Sequence, residues 1–283
     1  MKHYARKILL LGICCCQITV AAAAPGNTQL AACWAPSVDQ FYKMAGNASQ
    51  TNPAQEDTST VFNFDLDWRA NNNWENLNYY KLKPPVVYYS LVETEKFAYI
   101  GYYFYYPRHL GANPHANDFS GLLAMVEKVP GSTTGRLAGV LLHNATGWRE
   151  AGAGEVAALN PPLQVSISAG DHFLSLGADQ ELASNVLSFQ PPKYVNNAFM
   201  EGDAACYRLV SLEEVWQHRS EIQAGEAYGT LSTTGMGTTE LKTLPWNWQH
   251  KGVRWLSDPA GLFRLFKGGK TPAGAYVYNP YAG

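Results

Sequence analysis

The chain has 283 residues, of which 16% are charged and 13% are aromatic, and it contains 25 glycines and 16 prolines. This composition favours strands and turns over long helices. The formal charge of −2 argues against a nucleic acid as a partner, because binding to phosphates requires a basic surface.

Residues 1–24 have the pattern of a secretory signal peptide. Three cations precede an apolar stretch, residues 8–20, and four alanines follow it. The apolar stretch is too short to span a bilayer, which requires about 20 residues. The sequence therefore predicts a secreted or periplasmic protein with no transmembrane segment, and cleavage lowers the formal charge from −2 to −5. A lipid anchor at Cys14–Cys16 is the alternative, although Ile13 is bulkier than the small residue that usually precedes a lipidated cysteine.

Cys33 and Cys206 are the cysteines that remain after removal of the signal peptide. Two cysteines in an exported chain predict one disulfide, which would tie the N-terminal part to the body of the protein. Two buried thiols are the alternative. A single pair does not provide a cysteine cluster of the zinc-binding kind.

The elements that follow the signal peptide are predicted to be mostly strands. Residues 25–60 are polar and are expected to be irregular. Aromatic and β-branched runs separated by Gly, Pro or Ser-Thr turns predict strands at 84–94, 96–107, 120–129, 135–144 and 162–172. Residues 210–222 predict a short helix, because Ser211 can cap it and acidic residues fill its first turn. The sequence thus predicts an all-β fold, a single antiparallel β-sandwich over residues 61–283 with one or two peripheral helices, and a monomer.

A polar segment between two of these strands carries the main candidate site. Pro107 is expected to end one strand and Gly121 to open the next. His109, His115 and Asp118 are therefore predicted to lie on the connecting loop or its strand-entry edge and to converge at one end of the sandwich. Imidazole and carboxylate ligands together suit one divalent cation, with zinc, manganese and calcium as the options. An ordinary polar turn is the alternative, because His, Asn and Asp are common in turns.

Three further polar groups are candidates. His172 follows a predicted strand and extends the ligand-binding set if it reaches the loop, whereas a turn histidine bonded to backbone is the alternative. His143 ends an apolar strand and is interpreted as structural. The carboxylates of Asp65, Asp67 and Glu75 lie near tryptophans and suit a calcium loop or a sugar platform, although a strand edge with its turn explains the same pattern.

The central segment also resembles a known family. Residues 115–121, HANDFSG, follow a proline–arginine turn and are similar to the signature of the necrosis-inducing proteins, which are secreted β-sandwich cytolysins. They also resemble the signature of the vacuolar-sorting-associated sandwich proteins. A group of bacterial secreted proteins in this larger set shares further short stretches with the chain. These stretches lie at Asn73–Asn76, Tyr88–Thr94, Ala169–His172, Pro245–Trp248 and Ser257–Ala260.

The resemblance covers residues 60–280 and implies a β-sandwich that holds a cation. The cation ligands of the cytolysins fall on His109, His115, Asp118 and Ser120. The second and third of these match the family in residue type, whereas the first and fourth positions are carboxylates in the family. One carboxylate in place of three binds a hard cation more weakly. The resemblance therefore implies either a softer cation, such as zinc, or a site without metal.

Two functions remain for a chain with these features. The first is a non-enzymatic secreted protein that binds a glycan or a lipid headgroup at a membrane surface through His109, His115, Asp118 and His172. The second is a metal-dependent hydrolase in which His115 and Asp118 hold a cation that activates water. The sequence favours the first function, because it shows no complete set of nucleophile and general base.

Overall fold

A computed structural model of the protein describes most of the chain that follows residue 26. The described residues are 27–42, 57–77, 79, 85–111, 114–144, 147–177, 185–193, 195, 206–226, 244–269 and 274–283. The predicted signal peptide, residues 1–24, lies outside them, as does Cys14–Cys16. Within these ranges, no helix combines the length and the apolar character needed to cross a membrane.

The described part of the chain consists mainly of strands, as the composition predicts. The strands are β1 Ser37–Tyr42, β2 Val86–Thr94, β3 Phe97–His109, β4 His115–Glu127, β5 Arg136–Asn144, β6 Gly147–Glu150, β7 Gln164–Ile167, β8 Leu174–Leu176, β9 Asn185–Phe189, β10 Arg208–Ser211, β11 Gln249–His250, β12 Val253–Arg254 and β13 Tyr276–Tyr278. The helices are α1 Thr28–Trp34, α2 Asn73–Asn76, α3 Ala153–Ala158, α4 Glu213–Gln217, α5 Arg219–Glu226 and α6 Pro259–Phe266, and a 3₁₀ helix covers Pro245–Asn247.

The described strands form two sheets and a separate hairpin. The smaller sheet has the order β8-β7-β1-β9, and the larger has the order β10-β2-β3-β4-β5-β6, with β13 also paired to β2. β11 and β12 form the hairpin. Pairing is antiparallel except between β1 and β7 and between β10 and β2. The predicted β-sandwich is confirmed.

An apolar core fills the space between the two sheets. Every second residue of β3 from Ala98 to Tyr106 belongs to it, together with Val38 of β1 and Ile167 of β7. Removal of each large side chain of this kind from water contributes about 1.5–3 kcal/mol to folding. The core therefore holds the two sheets face to face.

The opposite face of the larger sheet is also buried. Tyr99, Tyr103 and Tyr105 of β3 lie in a second apolar cluster, which includes Trp255 and Phe263 from the C-terminal part of the chain. A strand that is covered on both faces has a continuous apolar sequence, not one in which apolar and polar residues alternate. This explains the unbroken aromatic sequence of β3.

Two buried tyrosine hydroxyls connect the larger sheet to the N-terminal elements. The hydroxyl of Tyr102 donates to the carbonyl of Ala31 at 2.6 Å, and that of Tyr106 donates to Oε1 of Gln40 at 2.7 Å. Burial raises the pKa of both phenols well above its ordinary value. Both groups therefore remain neutral donors, and their bonds offset the cost of burying the hydroxyls.

The segment 25–60, which was expected to be irregular, contains regular structure. In α1, the side chain of Asn27 accepts a hydrogen bond from the backbone of Leu30 at 3.1 Å and so caps the helix. Leu30 and Trp34 then pack into the core between the sheets. β1 pairs with β7 and β9 in the smaller sheet, and its buried Gln40 is bonded to Tyr106. The polar composition of this segment did not indicate that Asn27 caps a helix or that the buried amide of Gln40 is hydrogen-bonded.

The predicted disulfide between Cys33 and Cys206 is wrong, because the two sulfurs are not bonded. Cys33 lies on α1 and packs against the core between the sheets, where burial raises the pKa of its thiol. Cys206 lies on a different element and forms a β-bridge with Gln190. The two cysteines therefore lie on different elements of the fold and each remains a thiol.

The residues predicted to form one helix, 210–222, form the end of a strand and two short helices. Its first residues belong to β10, which pairs in parallel with β2. α4 follows and ends at Gln217, and α5 begins at Arg219. Val215 of α4 and Ile222 of α5 both lie in the second apolar cluster.

Candidate metal and ligand site

His109 and His115 face each other across the open end of a strand pair. His109 is the last residue of β3, His115 is the first of β4, and the two are direct partners in the antiparallel register. Their rings stack with centroids 4.5 Å apart and an angle of 20° between the planes. Both histidines therefore lie at the end of the β-ladder, on the strand edge that borders the loop.

Pro107 does not end β3, contrary to the prediction. Tyr106 pairs with Asp118 and Arg108 pairs with Ala116, so the register continues past the proline. Pro107 stands opposite Asn117, which has a left-handed backbone with φ of 60°. The missing N–H of the proline therefore interrupts the ladder at one position only.

At Pro107 and Asn117, the alternation of side chains between the two faces of the sheet is also reversed. Tyr106 points to the smaller sheet, where it bonds Gln40, whereas Arg108 points to the other side, where its guanidinium donates to the carbonyl of Trp74 at 2.9 Å. Residues two apart on a regular strand share one face. The break in this rule turns His109 and His115 to the face that carries Asp118.

The carboxylate of Asp118 is the centre of the cluster. Its Oδ2 lies 3.2 Å from Nδ1 of His109 and 2.8 Å from Nδ1 of His172, and its Oδ1 lies 3.6 Å from Nε2 of His115. The structure thus brings together the four residues proposed from the sequence as ligands. The imidazole partners hold the pKa of Asp118 well below its ordinary value, although burial alone would raise it.

His172 joins the cluster from the smaller sheet, beyond the end of β7. Its Nε2 lies 3.2 Å from Oδ1 of Asp57, so the ring is held between two carboxylates. Burial lowers the pKa of His172, but the hydrogen bonds to Asp118 and Asp57 outweigh this effect and the net change is upward. Because both ring nitrogens face carboxylate acceptors, His172 is expected to carry both protons.

Asp57 is a member of the cluster that the sequence analysis missed. It lies in the polar segment expected to be irregular, more than 50 residues from the other members in the chain. Its Oδ1 also accepts a hydrogen bond from the backbone N–H of Gly170 at 2.8 Å. No motif marked this residue, because its contacts depend on the approach of segments that are distant in sequence.

The cluster is buried on one side and open on the other. His109 and His172 are 3% and 1% exposed, whereas the side chains of His115 and Asp171 are 18% and 30% exposed. Oδ1 of Asp171 lies 3.6 Å from Nε2 of His109. Among the described residues of the cluster, His115 and Asp171 are therefore the ones that a ligand can reach.

Gly111 allows the loop after β3 to pass close to this opening. A Cβ atom at this position would lie 1.6 Å from Oδ1 of Asp171 and 2.8 Å from Nε2 of His109. The backbone N–H of Leu110 donates to the carbonyl of Gly170 at 3.1 Å, which joins this loop to the segment of His172. Glycine is thus required here by close approach.

The donor set fits a soft divalent cation. Donor atoms of His109, His115 and Asp118 all lie within 4.8 Å of one another. Bonds of about 2.0–2.2 Å around tetrahedral zinc place neighbouring ligand atoms about 3.4 Å apart. His109 lies 3.2 Å from one carboxylate oxygen of Asp118 and His115 lies 3.6 Å from the other, so each imidazole approaches the carboxylate at a distance near that value. Calcium and magnesium prefer six or more oxygen ligands, and this set does not fit them.

The fourth position implied by the family resemblance does not supply a carboxylate. Ser120 is 2% exposed on β4, and no described residue accepts or donates a hydrogen bond at its hydroxyl. The ligand set therefore holds fewer carboxylates than the resemblance implies, because His109 and Ser120 stand at two of its carboxylate positions.

The remaining candidates are engaged elsewhere. His143 stacks on Trp248 at 4.0 Å, and burial lowers its pKa to about 4. Asp65 accepts a hydrogen bond from the amide of Asn76 at 2.6 Å, and burial raises its pKa. Asp67 forms an ion pair with Arg69, and Glu75 is exposed on α2. These carboxylates thus serve the local structure of residues 63–76.

The chain was also compared with known proteins. No protein-family model and no curated protein sequence matches it. Solved structures that are similar to it include the protein NLPPya in complex with mannosamine, at 15% identity over 80% of this chain and 86% of that chain, with a TM-score of 0.39. Another is necrosis and ethylene inducing protein 2 from the causal agent of cocoa's witches' broom disease, at 15% identity over 73% of this chain and 81% of that chain, with a TM-score of 0.31.

Proposed function

We propose that this protein is exported and binds one divalent transition metal ion, with zinc as the best fit, through His109, His115 and Asp118. The observation that carries the proposal is the approach of three donor groups to within 4.8 Å of one another at the end of one strand pair. Two imidazoles and one carboxylate are a common ligand set for zinc. The site would leave a further coordination position on the side of His115, which is partly exposed.

His172 and Asp57 would position the ligands. Asp118 accepts from His172 through Oδ2, which fixes the orientation of the carboxylate. Asp57 in turn holds the far side of the His172 ring. Such outer contacts tune the affinity of a metal site, and their loss typically lowers it by about 10- to 100-fold.

The ligand of the proposed site is a glycan or a lipid headgroup. Zinc supplies a Lewis acid that attracts an oxygen atom of such a ligand. The partly exposed carboxylate of Asp171 lies next to His109 and can accept hydrogen bonds from ligand hydroxyl groups. Polar groups at the rim of a buried cluster thus suit recognition of a hydroxyl-rich or phosphate-bearing headgroup at a surface.

Metal analysis of the purified mature protein tests the proposal. The wild type should contain about one zinc per chain, and His115→Ala should contain much less while its circular dichroism spectrum is unchanged. His218→Ala is the matched control, because His218 is a partly exposed histidine whose Nδ1 contacts Glu221 at 3.0 Å outside the cluster. Equal zinc in wild type and His115→Ala, or none in the wild type after exposure to zinc, would contradict it.

The hydrolase alternative uses the same His115 and Asp118. It is supported only by the access that the exposed edge of His115 gives to the cluster. Turnover of phosphoester or glycoside substrates that requires zinc and is lost in His115→Ala would favour the hydrolase. Glycan or headgroup binding without turnover would favour the binding protein.

The export and the single-domain organisation can be tested on the same material. We propose that residues 1–24 are removed, that residues 61–283 form one domain, and that the mature protein is a monomer located outside the cytoplasm. Intact-mass measurement of the exported protein should show a new N-terminus after Ala23 or Ala24. Size-exclusion chromatography with light scattering should give the mass of one chain.

A further inference from the structure

A surface that shares no residue with the histidine cluster combines aromatic and basic side chains. It lies where the β11–β12 hairpin, the end of α6 and β6 meet. We call it the basic–aromatic surface and define it by Trp148, His250, Lys251, Arg264, Leu265 and Phe266.

The aromatic members pack against one another at the surface. The ring centroids of Trp148 and His250 are 5.6 Å apart, those of Trp148 and Phe266 are 6.1 Å apart, and His250 stacks on Phe266 at 4.7 Å. All three side chains are partly exposed. Trp148 packs on the fully buried Trp255, with the ring centroids 5.2 Å apart. The group is therefore rigid but not covered by the rest of the described chain.

Two exposed cations, Lys251 and Arg264, belong to the same surface. Lys251 is exposed at the tip of the hairpin, where it and Gly252 form a two-residue turn with φ of 49° and 81°. Arg264 is exposed on the last turn of α6. Within the described part of the chain, no carboxylate is in an ion pair with either cation.

The charge of this region is opposite to that of the whole chain. Between residues 249 and 269 the only acidic residue is Asp258, which accepts hydrogen bonds from Gly261 and Tyr276 and so caps α6. The chain as a whole has a formal charge of −2. Leu265, beside Arg264, leaves 39% of its surface exposed.

We propose that the basic–aromatic surface docks on a lipid bilayer that contains anionic lipids. Lys251 and Arg264 would contact the headgroup phosphates, while Leu265 and Phe266 would enter the boundary between headgroups and acyl chains. Tryptophan is favoured at this depth, which suits Trp148. The exposed Leu265 favours a bilayer over an acidic glycan, because a leucine gains contact with acyl chains and not with sugar hydroxyl groups.

Vesicle flotation of the mature protein tests this proposal. The protein should bind vesicles of phosphatidylcholine mixed with phosphatidylglycerol, should bind pure phosphatidylcholine vesicles much less, and should be released by salt. Each cation near an anionic surface contributes about fivefold to partitioning, so the double variant Lys251→Gln/Arg264→Gln should bind about 25-fold more weakly. Leu265→Ser should weaken binding about fivefold.

The control is the double variant Lys96→Gln/Lys193→Gln, which removes two exposed cations from other parts of the surface. It should bind as the wild type does. His115→Ala should also bind vesicles normally, which separates this proposal from that of the metal site. Equal loss in the two double variants, binding independent of anionic lipid, or binding to heparin without binding to vesicles would overturn it.

Discussion

Replacement of Asp118 by Asn tests the centre of the histidine cluster. Asparagine keeps the shape of the side chain but removes the charge and one acceptor oxygen. Asp118 is 5% exposed and accepts from His109 and His172 at 3.2 Å and 2.8 Å. Loss of one partner from a buried, charged network typically costs about 3–5 kcal/mol. With about 2–4 °C per kcal/mol for a domain of this size, Asp118→Asn should lower Tm by about 10 °C.

The pH of the measurement follows from the two opposite pKa changes. The pKa of Asp118 is lowered in the folded protein, so its contribution is present above the unfolded value and is lost as pH falls through the folded one. The pKa of His172 is raised, so its contribution is present below the unfolded value and is lost as pH rises through the folded one. Both contributions are present between about pH 4 and pH 6.5. The largest effect of Asp118→Asn is therefore expected there.

Thermal unfolding followed by circular dichroism in EDTA measures this effect without a contribution from metal. Asp67→Asn is the control, because Asp67 is paired with Arg69 at the surface and should change the free energy of unfolding by no more than about 1 kcal/mol. A Tm for Asp118→Asn within about 2 °C of that of Asp67→Asn would show that the carboxylate does not anchor the cluster.

Three further changes test other parts of the structure. Burial lowers the pKa of His143 from 6.5 to about 4. The free energy of unfolding of the wild type should therefore fall by up to about 3 kcal/mol as pH falls through this range. Urea unfolding of His143→Gln should not show that fall. Leu66 has φ of 73° and is 79% exposed, so Leu66→Asn should raise the free energy of urea unfolding by about 1 kcal/mol; a decrease would contradict the strain. A Cβ atom at Gly101 would lie 2.2 Å from the buried hydroxyl of Tyr103, so Gly101→Ala should cost about 1–3 kcal/mol in the same assay, and an unchanged midpoint would contradict it.

The sequence predicted the sandwich because its strands carry strong local signals. The aromatic residues of β3 have high strand propensity and leave no helical period, so the assignment did not require tertiary information. The burial of this strand on both faces was not predictable, because the layer that contains Trp255 and Phe263 comes from the far end of the chain.

The convergence of His109, His115, Asp118 and His172 was predicted, but the continuation of β3 through Pro107 was not. Pro107 was interpreted as the end of a strand, since proline cannot donate to a ladder. In the structure it stands opposite Asn117, and the two together reverse the alternation of side chains without ending either strand. A proline and an asparagine in adjacent strands carry no local sign of this pairing, because it depends on the register. Asp57 was missed for the same reason, since only the folded chain brings it to His172.

The position of the cluster on strands separates its two possible roles. Asp118 lies on β4 of the larger sheet and His172 lies in the connection between β7 and β8 of the smaller sheet, so the bond between them joins the two layers of the sandwich and supports the fold. His115 stacks on His109 and approaches Asp118 at the partly exposed edge, whereas the contacts from Asp57 through His172 to Asp118 are buried. Loss of His115 should therefore reduce metal affinity with little change in stability, whereas loss of Asp118 should reduce both. If the cluster is a structural brace without metal, only loss of Asp118 should have an effect, and that effect should be on stability. If the cluster is a metal site on a mobile loop, neither loss should lower stability.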